Sequence, residues 1–226
     1  ANCQMHWSLA DLQGGAVQGG CAAVTAQISP GKPGAVGVIS CQLPAVTKPT
    51  ELLLQVDLAA ESPKAANQWP VWVYPPLQAP APGLGILDPG RTLDDCGDWL
   101  QPALRVQAAQ EIMGCQVILT TAWNAALERY LHQGGRVILL QQGNGPLPAR
   151  RCPFWREAIK LFYPHPLWEA FPHQGYTDLQ FFGLASDTAF ESRLFPDVLP
   201  DLHGLTPILR RLDGREYLVS DYLLEA

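Results

Sequence analysis

The chain reads as a mixed fold: an N-terminal antiparallel β-sandwich of immunoglobulin-like type over residues 1–69, then an α/β domain with a mostly parallel sheet over residues 70–226. Three observations predict it. Short alternating strands broken by Gly and Pro turns fill the first sixty residues, as in sandwiches. No long helical period occurs before residue 90. A strand–helix–Gly-Gly–strand run then follows between Val117 and Gln141, the pattern of a parallel βαβ unit.

Taken in order, Met5–Leu9 alternates, and Asp11-Leu12-Gln13-Gly14-Gly15 supplies a turn. Ala22–Ile28, Val36–Leu43 and Glu51–Leu58 are expected as the next strands, punctuated by Gly19-Gly20, Pro30-Gly31, Pro33-Gly34, Pro44 and Pro49. Trp69–Tyr74 is a short apolar strand at the junction, stopped by Pro75-Pro76. Leu84–Leu87 forms a strand ending at Asp88-Pro89-Gly90, and Thr92 and Asp94 are placed to cap a helix through Leu100. Val117–Thr121 is a buried strand. Asn124–His132 is a helix with Leu127, Tyr130 and Leu131 on one face, closed by Gly134-Gly135 as a left-handed C-cap requires. Arg136–Gln141 is the next strand. Phe154–Ala158 is expected to open a helix; Pro207–Leu212 and Tyr217–Leu224 are expected as two strands joined at Asp213-Gly214.

Composition narrows the function. Of 226 residues, 47% are apolar and 16% charged, which is globular. The formal net charge is −6, and the densest basic stretch is Arg150-Arg151 with Arg156 and Lys160. A nucleic-acid partner is therefore not expected. No apolar run approaches the ~20 residues that span a bilayer, so no membrane partner is expected either. A leader peptide is not visible, and cytoplasmic and secreted locations stay equally open. Both ends fall close to strands, which predicts an excerpt of a longer protein. Six cysteines stand at 3, 21, 41, 96, 115 and 152 without a CxxC pair. Most are read as free thiols; Cys21 and Cys41 lie in strand-like runs that could face each other.

No chemical motif is complete. Gly143-Asn144-Gly145 follows a strand but runs into Pro146 and Pro148, a turn and not a phosphate loop. Cys115 precedes its strand instead of following it, so it is a poor nucleophile. Asp94, Asp95 and Asp98 suit a helix start, while Glu157, Glu169, Asp178 and Asp187 have no spacing that pairs two carboxyls for glycoside hydrolysis. The five histidines form no HxH or HExxH pattern. No catalytic residue, cofactor or metal is assigned.

The most unusual stretch is 164–183, PHPLWEAFPHQGYTDLQFFG. Its candidate surface residues are Trp168, Phe171, His173, Tyr176, Asp178, Gln180, Phe181 and Phe182. Three readings stay open: a loop anchored by its aromatics, a docking surface for another domain or subunit, and a sugar-binding surface of stacked rings and polar groups.

Three pieces of the chain resemble the C-terminal accessory region of bacterial glycoside hydrolase family 2 proteins, the β-galactosidase-like group. His6-Trp7-Ser8-Leu9 with Asp11-Leu12-Gln13-Gly14 is similar to that family's sandwich strand and turn. Asn67–Pro75 is similar to its junction strand. Gly134–Leu140, Pro153–Arg156, His165–Leu167, Phe171–His173 and Gln180–Phe182 together resemble its α/β domain, a class I glutamine-amidotransferase fold without the triad. Leu179 stands where many relatives carry Trp. The resemblance implies a non-catalytic accessory or docking region of a carbohydrate-active protein, whose catalytic barrel lies elsewhere. The alternatives are a carbohydrate-binding module using 164–183, and a thiol-dependent amidotransferase-like or esterase-like enzyme using Cys115.

Overall fold

The computed structural model describes the chain apart from residues 1–3, 25–30, 60–64, 142–144, 152–157, 176–178, 182–187, 202–203, 214–218 and 226. The chain divides into two compact units. One comprises Ala1–Pro76 with Glu169–Pro172, the other Leu77–Trp168 with His173–Ala226.

The first unit is built on a four-stranded antiparallel sheet, β1 (Gln4–Asp11), β2 (Ala16–Ala23), β3 (Thr50–Ala59) and β4 (Ala65–Val73), in the order β2-β1-β3-β4. The expected turn closes the first hairpin. The Asp11 carboxylate accepts from the Gln13 and Gly15 amides at 2.9 and 2.8 Å, and Gly14 takes a φ of 85°, a left-handed conformation open to glycine without steric cost. Alternation then sorts the side chains. Trp7, Leu9, Leu52, Leu54 and Val73 form one apolar cluster with Val46, while Gln4 and His6 of β1 are exposed.

Three expectations for this unit need correction. The second strand is Ala16–Ala23, not Ala22–Ile28; residues 25–28 lie outside the described set. A tight turn at residues 11–15 forces pairing with β1 to begin at once. Gly19 and Gly20 are therefore strand residues opposite Ser8 and Trp7. A Cβ at Gly20 would sit 3.1 Å from the Trp7 indole nitrogen, so glycine makes room for the ring. Val36–Leu43 forms no ladder; flanked by Pro33 and Pro44, it leaves Val38 and Leu43 exposed. The junction strand is the fourth strand of this sheet. It carries Pro70 opposite Leu53 on an edge, where a missing donor is tolerated. Among the described residues one sheet is present here; a facing sheet is not.

In the second unit, β5 (Leu84–Leu87), β6 (Leu104–Arg105), β7 (Val117–Thr120) and β8 (Arg136–Leu139) form a parallel sheet in the order β6-β5-β7-β8. The helices are α1 (Ala109–Met113), α2 (Ala125–His132) and α3 (Phe195–Val198). The β7–α2–β8 unit matches the reading of residues 117–141: Val117 pairs with Arg136 and Thr120 with Leu139 in parallel register. Asn124 caps α2, accepting from the Ala126 and Leu127 amides, and Gly134 takes a φ of 83°. Because successive strand residues point to opposite faces, Leu87, Ile118 and Val137 meet Ile112, Leu127 and Tyr130 on one side. Leu84, Ile86 and Leu119 meet Leu93 and Leu100 on the other.

The helix expected from residue 92 to 100 is two 3₁₀ turns, Asp94–Cys96 and Asp98–Leu100. Gly97, at a φ of 95°, breaks it, and neither Thr92 nor Asp94 caps it through a side chain.

The remaining strands are antiparallel: β9 (Ala149–Arg151), β10 (Ala158–Phe162), β11 (Thr188–Phe190), β12 (Thr206–Asp213) and β13 (Val219–Glu225), in the order β10-β12-β13-β11-β9. The expected C-terminal hairpin is β12–β13. The unit is therefore not mostly parallel: β9–β13 all pair antiparallel, a pairing that needs no crossover connection. Residues 154–157 of the helix expected at 154–158 lie outside the described set, and Ala158 opens β10.

Candidate functional site

The aromatic segment is folded largely into its own unit. Trp168 and Phe181, open in the sequence between an anchored loop and a docking or sugar surface, are 9% and 5% exposed and pack with Ile208 and Leu209 against Phe162, Leu167 and Leu223. Phe162 is the hub. Its ring lies 4.9 Å from Trp168 edge-on, 5.1 Å from Phe181 edge-on, and 3.9 Å from His173 in a stack. The Trp168 indole donates to the Tyr163 carbonyl at 2.8 Å, satisfying the polar handle that a buried Trp carries. The anchoring of Trp168 has a simple cause: with Pro164 and Pro166, the stretch after β10 turns at His165–Trp168 beside β12, and its indole completes that sheet's core.

The other candidates separate. Phe171 is 44% exposed, grouped with the first unit, with its ring 5.7 Å from that of Tyr74. His173 Nδ1 accepts from the Gly175 amide at 3.0 Å, and Gln180 is half-buried. Tyr176, Asp178 and Phe182 lie outside the described residues. His165, not singled out for a role, bridges to Glu225 at 3.0 Å and accepts from the Leu167 amide through Nδ1.

Cys115 has the environment of a structural thiol. Its sulfur donates to the Glu111 carbonyl at 3.3 Å, and burial, followed by the Glu111 charge, pushes the thiol above its usual range. Glu111 is itself held below the carboxylate range by the Ala108 and Gln107 amides. The recess beside Cys115 is shallow, about 470 Å³, with Gln116, Tyr130 and Arg136 in its lining. It lies at the amino ends of β7 and β8, whereas ligands of open α/β sheets bind at the carboxyl ends.

The carboxyl ends of the parallel strands hold a polar cluster that the sequence reading passed over as a turn. Asp88, directly after β5, has a fully buried side chain. It accepts from the Thr92 and Thr121 hydroxyls at 3.0 and 2.7 Å and from the Leu93 amide at 2.7 Å. Burial alone would raise its carboxyl, but the Leu93 amide and the two threonine hydroxyls outweigh it and hold the group below its ordinary value. Arg105 stands 3.9 Å from Asp88 and 3.1 Å from Asp94, and Asp94 also binds Arg91. Two arginines and two aspartates thus balance, and Asp88 ties the loops after β5 and β7 together. The available signal was an Asp at the carboxyl end of a buried apolar strand.

Electrostatics in the antiparallel sheet follow the same logic. Lys160 of β10 faces Arg211 of β12, and burial, then the Arg211 charge, lower its ammonium. Among the described residues, no group of three His, Cys, Asp or Glu side chains is arranged to hold a metal ion. No helix there is long and apolar enough to cross a membrane.

Fold and site thus define a β-rich mixed protein of two units, one antiparallel and one with a parallel βαβ core. Residues 1–75 match a family described as a domain of unknown function, DUF8488. No curated protein matches the sequence. Among solved structures, the chain is similar to the Parabacteroides merdae beta-glucuronidase with glycerol in its active site, at 10% identity and a TM-score of 0.20. The match covers 60% of this chain and 19% of that one, so the chain spans about a fifth of that enzyme's length.

Proposed function

We propose that this chain is a non-catalytic accessory region of a larger carbohydrate-active protein of the glycoside hydrolase family 2 type, serving to dock domains or subunits. One observation carries the docking role. Parallel sheets are ordinarily covered on both faces, yet Ile138 on the edge strand β8 is 51% exposed, and Leu140 two residues later 44%. Leu93 and Leu100 cover the same face over β5 and β7 but do not extend to this edge. The carbohydrate link rests on the sequence resemblance, as do the finer descriptions of the units as an immunoglobulin-like sandwich and an amidotransferase-like domain.

The test is association of this chain with the separately produced remainder of its parent protein, followed by calorimetry. Docking through the β8 edge predicts saturable binding that Ile138→Lys weakens by about tenfold or more, the scale of an interface residue worth over ~1 kcal/mol. Binding unchanged in Ile138→Lys removes this surface from the proposal. Saturable quenching of Trp fluorescence by galactosides, with no association, would replace docking by sugar binding.

A further inference from the structure

The polar face of the first sheet carries a row of three chemistry-bearing residues. Strand register sets Cys21 of β2 opposite His6 of β1, and His6 opposite Asp57 of β3. Directly paired residues share a face and bring their Cβ atoms within about 4.5–5.5 Å. The Cys21 sulfur lies 3.0 Å from His6 Nδ1, and both residues are exposed. Asp57 accepts from Gln55 Nε2 at 3.0 Å. The same-face neighbours of Cys21 along β2 are Gly19 and Ala23, too small to shield the sulfur. The other free thiols differ: Cys41 and Cys96 are exposed, and neither has an imidazole partner among the hydrogen bonds of the described residues, while Cys115 is tied to a carbonyl.

A nucleophile within hydrogen-bond reach of a base is the arrangement that activates a thiol, and here the observed pair is Cys21 with His6. We propose that Cys21 is a reactive thiol assisted by His6, and that it exchanges with low-molecular-weight disulfides to form a mixed disulfide. With His6 protonated on Nε2, its Nδ1 accepts the thiol proton as the sulfur attacks one sulfur of the small disulfide. The new S–S bond forms as the old one breaks, and the departing sulfur leaves with the bonding pair as a thiolate. That thiolate regains a proton from the imidazolium. The Cys21 sulfur is oxidised and the leaving sulfur reduced, so no further oxidant enters.

The experiment treats the full, reduced chain with oxidised glutathione and follows adduct at each cysteine by peptide mass spectrometry. Cys21 is expected to react at least about tenfold faster than Cys41 and Cys96, a threshold below the ~10²–10⁴-fold a positioned base typically supplies. His6→Gln should bring Cys21 down to their rate, with circular dichroism unchanged because His6 is exposed. Repeating the series in Cys41→Ser separates a glutathione adduct from an internal disulfide; loss of the Cys21 adduct in that variant overturns the proposal. So does a Cys21 rate matching Cys41 and Cys96, or one that His6→Gln leaves unchanged.

Discussion

The antiparallel sheet β1–β4 and the parallel sheet β5–β8 each have four strands, but they divide their side chains differently. In the antiparallel sheet, Trp7, Leu9, Leu52 and Leu54 go to one face, and the other carries Gln4, His6, Cys21 and Asp57. In the parallel sheet, Leu87 and Ile118 face α1 and α2, while Ile86 and Leu119 face the 3₁₀ turns. A sheet covered on one side has a whole face free for polar chemistry. A sheet covered on both sides is left with its strand ends and its edge, where Asp88 and Ile138 lie. The location of each candidate site follows from how many faces its sheet must bury.

The largest expected effect tests that doubly covered core. Leu127 is fully buried between α2 and the sheet, so Leu127→Ala should cost about 2–5 kcal/mol through lost transfer energy and the cavity left behind. Denaturant titration with an unchanged m-value would measure it. A cost under about 1 kcal/mol would mean α2 contributes no more to its sheet than an exposed element.

Next is the strand-end cluster. Asp88→Ala removes the acceptor for one amide and two hydroxyls and should cost about 1–3 kcal/mol. Asp88 also carries a pH signature. Its folded value lies below the ordinary 3.8, so its contribution is complete above that value and is lost as pH falls through the lowered folded one. Thermal melts of the wild type and Asp88→Asn should differ at neutral pH and converge under acid. Melts that stay equally far apart would assign the difference to packing instead of charge.

Smaller effects follow at the turns. Asn124→Ala removes the N-cap of α2 and should cost about 1 kcal/mol. Gly135→Ala should cost more than a helix-surface change, because its Cβ would run into the Tyr130 ring; urea midpoints of the two variants would rank them. Smallest is Ile138→Lys, within about 0.5 kcal/mol for the isolated chain, as for a surface site. That near-neutrality is what distinguishes a docking residue from a core one.

Legibility in the sequence followed local physics. The Asp11–Gly15 turn, the Asn124 cap, the Gly134 stop and the β7–α2–β8 unit were all readable, because each depends on residues close in the chain. Trp168 and Phe181 were singled out correctly as unusual, yet their surroundings were not visible. Phe162 is only six residues before Trp168, but the Ile208 and Leu209 that complete their enclosure come from β12, about forty residues on. Gly19-Gly20 misled because glycine marks a turn and also marks room for a large ring, and only the Trp7 opposite decides between them. The same holds for the 92–100 stretch, where Thr92 and Asp94 suggested a cap and Asp88, just after β5, accepts from Thr92 and Leu93 instead.

By itself, then, the sequence determined the mixed class, the Asp11–Gly15 turn, the βαβ unit and the absence of a motif with fixed spacing, since these are written within a few turns of chain. Tertiary structure alone decided which rings were core, how the C-terminal strands ordered themselves, and that Cys21, His6 and Asp57 stand in one row. Fifteen residues separate His6 from Cys21, with Asp57 further still along the chain, and only strand register, set by the apolar face of β1 and β3, brings the three together.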